Sequence, residues 1–276
     1  MSATLTALPQ VGFPVRAHRW LKLLAHLGRG LATVSFRFPA WDMAQRAAVS
    51  QQWSAQLLTI MGIEVKLLGQ PPGLYPANTF LIANHVSWLD IFALNSVTVS
   101  RFVAKREIRQ WPVIGMLVAR AGTLFIDRSN RRDALRVNEI LASSLREGDC
   151  MAVFPEGTTS DGTSVLPFKA SLFDSAVQAG STVQPVGLRY CRRDGTLVPE
   201  AAYVGEVTFL QSVRRMIAAE GLCIEIRFSE PICGVGHTRF TLAQSAERAV
   251  RRALNLSCEM PDTVVGISDG RQDAGR

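Results

Sequence analysis

With 276 residues, 47% of them hydrophobic, the chain is long enough to bury one large core. Its net charge of +7 and pI of about 9.6 point to an anionic partner, and charge alone allows lipid or nucleic acid. Five scattered cysteines without a Cys-x-x-Cys spacing argue against a disulfide framework or a zinc site, and fit a reducing compartment.

No stretch reaches about 18 uncharged apolar residues, so no transmembrane helix is expected. Residues 1–10 lack the basic start and apolar run of a signal peptide, which gives an expectation of a protein on the cytoplasmic face of a membrane. Residues 1–60 carry six Lys or Arg against one acid, Asp42. Over Ala17–Phe38, Arg19, Lys22, His26 and Arg29 recur on one predicted helical face, with Trp20, Leu23, Leu24, Leu27, Leu31 and Val34 on the other. Such a basic amphipathic helix is suited to a membrane interface. Pro39 ends it, and a second helix is expected from about Asp42 to Met61. The plainer alternative is that both helices pack as core.

From Gly62 the pattern becomes one of short strands alternating with helices. Ile63–Leu67 alternates like an edge strand, and Thr79–Ala83 is a short apolar run suited to a buried strand. A short helix (Trp88–Leu94), a strand (Arg101–Ala104) ending at Lys105, and a helix from Pro112 to Arg120 follow. Next come strand Thr123–Ile126, helix Arg131–Arg146, strand Met151–Phe154, helix Lys169–Gln178 and strand Thr182–Tyr190. Helix Thr208–Ala219, strand Leu222–Phe228 and helix Thr241–Leu256 complete the domain, and the polar tail is expected to be disordered. This alternation predicts an α/β fold with a mixed, largely parallel sheet flanked by helices. The predicted organisation is a docking helix pair (1–61), a catalytic domain (62–258) and a tail (259–276).

Two strand-to-loop junctions carry candidate chemistry. Asn84-His85-Val86-Ser87-Trp88-Leu89-Asp90 follows the Thr79 strand and places an imidazole five residues before a carboxylate. Asp90 can hold one ring nitrogen while the other takes a proton from a hydroxyl. Alone, His-x4-Asp is equally a helix-capping pair. About 65 residues downstream, Val153-Phe154-Pro155-Glu156-Gly157-Thr158-Thr159-Ser160 places a glycine among hydroxyls, a turn able to aim N–H groups at an anion.

Together these segments resemble the glycerolipid acyltransferase family, which includes the lysophosphatidic acid acyltransferases. Two further blocks stand in the same order: Gly122-Thr123-Leu124-Phe125-Ile126-Asp127-Arg128 and Val183-Gln184-Pro185-Val186-Gly187. The resemblance implies acyl transfer from a thioester, acyl-CoA or acyl carrier protein, to the hydroxyl of a lysolipid at a membrane surface. No other cofactor or metal and no nucleic acid is implied. His85 is then the general base and Asp90 its orienter. Arg128 and Lys105 are the candidate headgroup cations, within a basic stretch of nine Lys or Arg against three acids over residues 101–136.

Glu156, Gly157, Thr158 and Thr159 match the substrate loop, Glu156 either ordering it or pairing with Arg128. Many lysophosphatidic acid enzymes carry Arg where this chain has Thr159. That departure brings lyso-ornithine lipid into view as an alternative acceptor, its headgroup suiting Thr159 and Asp161. A catalytically dead, membrane-bound scaffold is the alternative from another class. Ser87 lacks the Gly-x-Ser-x-Gly context of a nucleophile, and Cys150 reads as a buried small residue.

Overall fold

The computed structural model describes residues 9–110, 114–126 and 131–256, without the side chains of residues 105 and 131–135. Helices α1 (Phe13–Ala32) and α2 (Met43–Met61) precede strand β1 (Glu64–Leu68). Then come β2 (Thr79–Ala83), α3 (Asp90–Asn95), β3 (Arg101–Lys105), α4 (Ile114–Arg120), β4 (Leu124–Ile126), α5 (Arg131–Arg146) and β5 (Cys150–Val153). The chain closes with α6 (Asp174–Ala179), β6 (Thr182–Arg192), α7 (Phe209–Ala218), β7 (Leu222–Phe228), β8 (Ile232–Cys233) and α8 (Arg239–Ala253).

The strands form one mixed sheet in the order β1-β7-β6-β2-β5-β3-β4, with β8 paired to β6. From β6 to β4 all neighbours are parallel; β7 runs antiparallel to β6 and parallel to β1. Strand β2 is buried on both faces, which is why it reads as an unbroken apolar run. Its alternation still sorts side chains. Leu81 and Ala83 join a core with Leu57, Leu58 and Met61 of α2, Leu94 of α3 and Met216 of α7. Phe80 and Ile82 join a second core with Leu141 and Leu145 of α5 and Leu242 and Val250 of α8. The result is three layers, each fully buried Leu, Ile or Phe contributing about 1.5–3 kcal/mol against exposure.

Helix ends carry local signals. Capping boxes start α2 (Asp42 with Gln45), α7 (Thr208 with Gln211) and α8 (Thr238 with Thr241). Left-handed Gly62 and Gly180 end α2 and α6. The predicted helix over Lys169–Gln178 is instead a 3-10 turn (Ala170–Phe173) followed by α6, and the two-residue β8 was not expected.

The amphipathic reading of α1 needs correction. The helix begins four residues earlier than predicted and is wedged between α2 and α7, so two faces are covered. His26, placed on the basic face by periodicity, is buried; it stacks on Trp53 at 4.6 Å and donates from Nε2 to the Trp53 carbonyl. Arg19 turns away from solvent and donates to the Ile217 and Ala219 carbonyls at the end of α7 (2.7 and 2.9 Å). Leu24, on the predicted apolar face, is exposed together with Phe13, Leu21 and Phe36. Beyond Ala32 the helix widens to a π turn (Thr33–Arg37) and tightens to a 3-10 turn containing Pro39.

At Gly62 φ is +74°, and an added Cβ would meet the Arg19 guanidinium at 1.9 Å. Gly62→Ala therefore strains the turn and pushes Arg19 off the α7 carbonyls. Urea denaturation should register a loss of about 1–3 kcal/mol, and an unchanged midpoint would show that Arg19 does not tie α1 to α7.

Candidate active site

Parallel pairing explains why two segments so distant in sequence meet. Strands β2 and β5 are neighbours with Ile82 opposite Val153, so the loops leaving them emerge at the same edge of the sheet. His85 lies two residues beyond β2, and Glu156 three beyond β5. Asn84, fully buried, extends the β2–β6 seam past the last ladder bond. Its side-chain amide donates to the Leu188 carbonyl at 2.9 Å and its oxygen accepts the Leu188 N–H at 2.7 Å. This fixes the height of β6 against the turn that carries His85.

The turn wraps around Asp90. Its Oδ2 accepts the N–H groups of Val86 (2.7 Å) and Ser87 (2.9 Å) and lies 2.8 Å from His85 Nδ1. Its Oδ1 accepts the hydroxyl of Tyr190, on β6, at 2.6 Å. With two backbone N–H groups already directed at Oδ2, that oxygen acts as acceptor, so the imidazole carries its proton on Nδ1. Nε2 is left as the basic nitrogen. The Asp90 side chain is wholly buried, whereas the His85 side chain is 21% exposed, so the ring opens toward solvent.

Phe154 lies flat on the imidazole at 4.0 Å and 7°, and locks its plane. Burial, reinforced by Asp90, raises the Tyr190 hydroxyl well above the usual phenol range, which keeps it a donor. Deleting that donor would leave a buried carboxylate oxygen unpaired, a cost of about 1–3 kcal/mol.

Glu156 is the second buried carboxyl. Its Oε1 accepts the backbone N–H of His85 at 2.7 Å, and its Oε2 accepts that of Leu166 at 2.9 Å. It thus orders the loop, as one of the two sequence readings proposed. Burial pushes its pKa up to about 7, against the opposing pull of those two N–H donors. Ser160 closes the other side, its N–H donating to the His85 carbonyl at 2.8 Å. Gly157 turns at φ +74°. Helix α8 clamps the far end of the loop: Glu247 accepts the Phe168 N–H, and Arg251 donates to the Val165 carbonyl and to Glu247.

The other sequence candidates distribute unevenly. Thr159 is engaged, its hydroxyl donating to the Tyr203 carbonyl, and Asp161 accepts from the N–H and hydroxyl of Thr163. Neither is aimed as a ready-made headgroup ligand. Thr158 is exposed on the turn. Lys105 ends β3 at the His85 edge, but its side chain lies outside the described residues, as does the whole of Arg128.

The expected basic wall is incomplete. Arg101 starts β3 at the opposite edge and pairs with Asp149, because a parallel strand puts its first and last residues at opposite ends of the site. Arg120 bonds Ser35 instead. Arg136 is exposed, in line with a solvated helix face. Ser87 and Cys150 are fully buried, and burial raises the Cys150 thiol, so neither is presented as a nucleophile. Val86 and Ser87 spend their N–H groups on Asp90, which removes them as oxyanion donors.

Sequence reasoning missed Tyr190, Phe154 as a stacking partner, and an apolar cavity of about 290 Å³. The cavity is walled by residues such as Leu27, Trp53, Phe92, Ile114 and Val213, from five helices, and by Trp88 just before α3. Trp88 and Phe92 belong to the segment directly after His85. Trp88 donates from its indole to Ser212 of α7 at 3.0 Å, which fixes that wall.

The Glu156 carboxyl yields a signed pH dependence. Its folded pKa of about 7 lies above the ordinary value, so the native state holds the proton longer than the unfolded chain. Its contribution to stability is full below about pH 4.5 and declines as pH rises toward about 7. Glu156→Gln does not titrate. Thermal melts from about pH 5 to pH 8 should show the variant gaining relative to the parent chain, whereas a pH-independent difference in Tm would contradict the assignment.

Comparison with known proteins agrees with this geometry. The Acyltransferase family profile matches residues 73–189, spanning both loops. A lyso-ornithine lipid O-acyltransferase of Pseudomonas aeruginosa is 38% identical over 244 residues, covering 87% of this chain and 92% of its own. A 1-acyl-sn-glycerol-3-phosphate acyltransferase of Neisseria gonorrhoeae is 39% identical over 212 residues, covering 75% and 80%. The crystal structure of the 1-acyl-sn-glycerophosphate acyltransferase PlsC from Thermotoga maritima superposes with a TM-score of 0.68 at 20% identity, over 88% of this chain and 94% of that one, and so shares the fold. An Asp-anchored histidine in this α/β frame, with relatives of this identity and coverage, establishes that the chain belongs to the acyltransferase family.

Proposed function

We propose that this enzyme moves a fatty acyl group from a thioester to the free hydroxyl of a lysolipid, with 1-acylglycerol-3-phosphate as acceptor and phosphatidic acid as product. The observation that carries the reading is the His85–Asp90 pair, whose Nδ1 is tied to the carboxylate and whose Nε2 is left basic on the open side. An alcohol is a poor nucleophile near neutral pH, so a base aligned on its proton is what this reaction needs. As the acceptor oxygen bonds to the thioester carbonyl carbon, its proton passes to Nε2. When the carbon–sulfur bond breaks, that proton goes to the departing thiolate. Asp90 holds the tautomer and stabilises the transient imidazolium.

The apolar cavity beside Trp88 is suited to a fatty acyl chain, and the donor is acyl-CoA or acyl carrier protein. Among the described residues no helix is long and apolar enough to cross a membrane. Phe13, Leu21, Leu24 and Phe36 (82% exposed) nevertheless project from α1 and the turn after it. Leu24 also lines the cavity, so the exposed apolar face and the acyl site are continuous. This supports docking on the bilayer surface, with Lys22 and Arg29 beside the apolar face to meet anionic lipid.

A second acceptor is favoured by one observation. The family resemblance implies an arginine where this chain has Thr159 in many lysophosphatidic acid enzymes, and the Pseudomonas aeruginosa lyso-ornithine lipid enzyme aligns over nearly its whole length. A competition assay offering both lysolipids, read by mass spectrometry, decides between them. Excess phosphatidic acid supports the first reading, and excess ornithine lipid replaces it.

His85→Ala should lower kcat by about 10²–10⁴-fold, and Asp90→Asn by on the order of 10³–10⁴-fold. Turnover near the parent rate in either variant would sink the base mechanism. Removing residues 1–60 outright would strip Leu57 and Leu58 from the core, so docking is better tested on the surface. Leu21→Asp combined with Leu24→Asp and Phe36→Asp should reduce co-sedimentation with anionic vesicles by about tenfold or more while leaving the melting curve in place. Undiminished sedimentation would remove the docking role.

A further inference from the structure

Between Arg146 and Arg189 the sequence holds a single Lys or Arg, and it is Lys169. Its backbone N–H donates to the Pro155 carbonyl at 3.0 Å, which pins the residue beside the turn that carries Glu156 and Gly157. From there its side chain lies along the glycine. A Cβ added at Gly157 would meet the Lys169 ammonium at 2.4 Å, Cε at 3.0 Å and Cδ at 3.3 Å. The turn takes a left-handed φ of +74° at that point, a backbone conformation that favours glycine and leaves room for the draped side chain.

Among the described residues, no carboxylate pairs with Lys169. Adjacent Glu156 does not claim the ammonium, because its two oxygens face the N–H groups of His85 and Leu166. The loop therefore presents a cation next to the residue whose carboxylate holds the backbone of His85. It does so without the arginine that position 159 lacks, Thr159 being bonded to the Tyr203 carbonyl.

We propose that Lys169 is the headgroup-binding cation of this loop, taking over from the side of the Gly157 turn the role that an arginine at position 159 would fill. This deepens the proposed function and rests on its anionic acceptor. The chemistry recognised is an oxyanion: the phosphate monoester of 1-acylglycerol-3-phosphate or the carboxylate of a lyso-ornithine lipid. An ammonium suits either as a point charge, where an arginine would demand bidentate geometry.

The experiment measures kcat and KM separately for the full-length parent chain, Lys169→Ala and Lys169→Arg. Acceptors are 1-acylglycerol-3-phosphate and lyso-ornithine lipid, and glycerol 3-phosphate serves as a soluble inhibitor. Melting curves check that the variants fold. Lys169→Ala should raise KM for the acceptor by about tenfold or more with kcat within about twofold, weaken glycerol 3-phosphate inhibition in parallel, and regain most of its affinity as Lys169→Arg. An unchanged KM in folded Lys169→Ala overturns the inference, as does a loss confined to kcat, which would mark a structural role. If the parent chain accepts lyso-ornithine lipid alone, the phosphate reading fails by itself; Lys169 is then judged by the same KM criterion on that acceptor.

Discussion

Asp90 is removed from water, and a buried carboxylate is tolerated only where donors replace its lost hydration. Here four do so: two backbone N–H groups, the imidazole and the Tyr190 hydroxyl. They come from two structural commitments. The N–H groups require the tight turn after β2, Tyr190 requires β6 at a fixed height, and Asn84 sets that height through Leu188. The Nδ1-protonated tautomer of His85 is thus a consequence of satisfying one charge, and the cost of losing any donor falls on the fold and on the chemistry proposed for it.

The remaining architecture serves the same edge of the sheet. Parallel β2 and β5 deliver the His85 and Glu156 loops side by side, and Glu156 joins them through the His85 backbone. Helix α8 holds the far end of the Glu156 loop through Glu247 and Arg251. On the other face, α1 and α2 complete a core with the sheet and also wall the apolar cavity. The helix that carries the exposed apolar residues Leu21 and Leu24 is therefore among those that enclose the cavity, which is what the proposed docking and acyl-binding roles require. On the proposed function, a lipid substrate would reach the cavity along that face, without a membrane-crossing helix among the described residues.

Much of this was legible in the sequence because the signals were local. Short apolar or β-branched runs located β2, β5, β6 and β7 to within a residue or two. His85 with Asp90, and Glu156 with Gly157, could be read from spacing and from their family resemblance. What escaped depended on tertiary placement. Periodicity put His26 on the basic face of α1, yet packing by both α2 and α7 buried it. Arg101 looked like part of a basic wall until strand direction put it at the far edge, against Asp149. Tyr190 reaches Asp90 across 100 residues of sequence, and no local pattern distinguishes it from a core tyrosine. The proximity of Lys169 to Gly157 was invisible because it arises only when the loop folds back on itself.

The central claim is that Asp90 fixes the proton of His85 on Nδ1 and leaves Nε2 as the base. Nitrogen-15 NMR of histidine-labelled protein tests it directly, with His85→Ala identifying the signal. At about pH 8 the account predicts a protonated, pyrrole-type Nδ1 and a bare, pyridine-type Nε2 on the His85 ring. A proton found on Nε2, with Nδ1 bare, would contradict it, because the nitrogen facing the substrate side would then have no lone pair to offer.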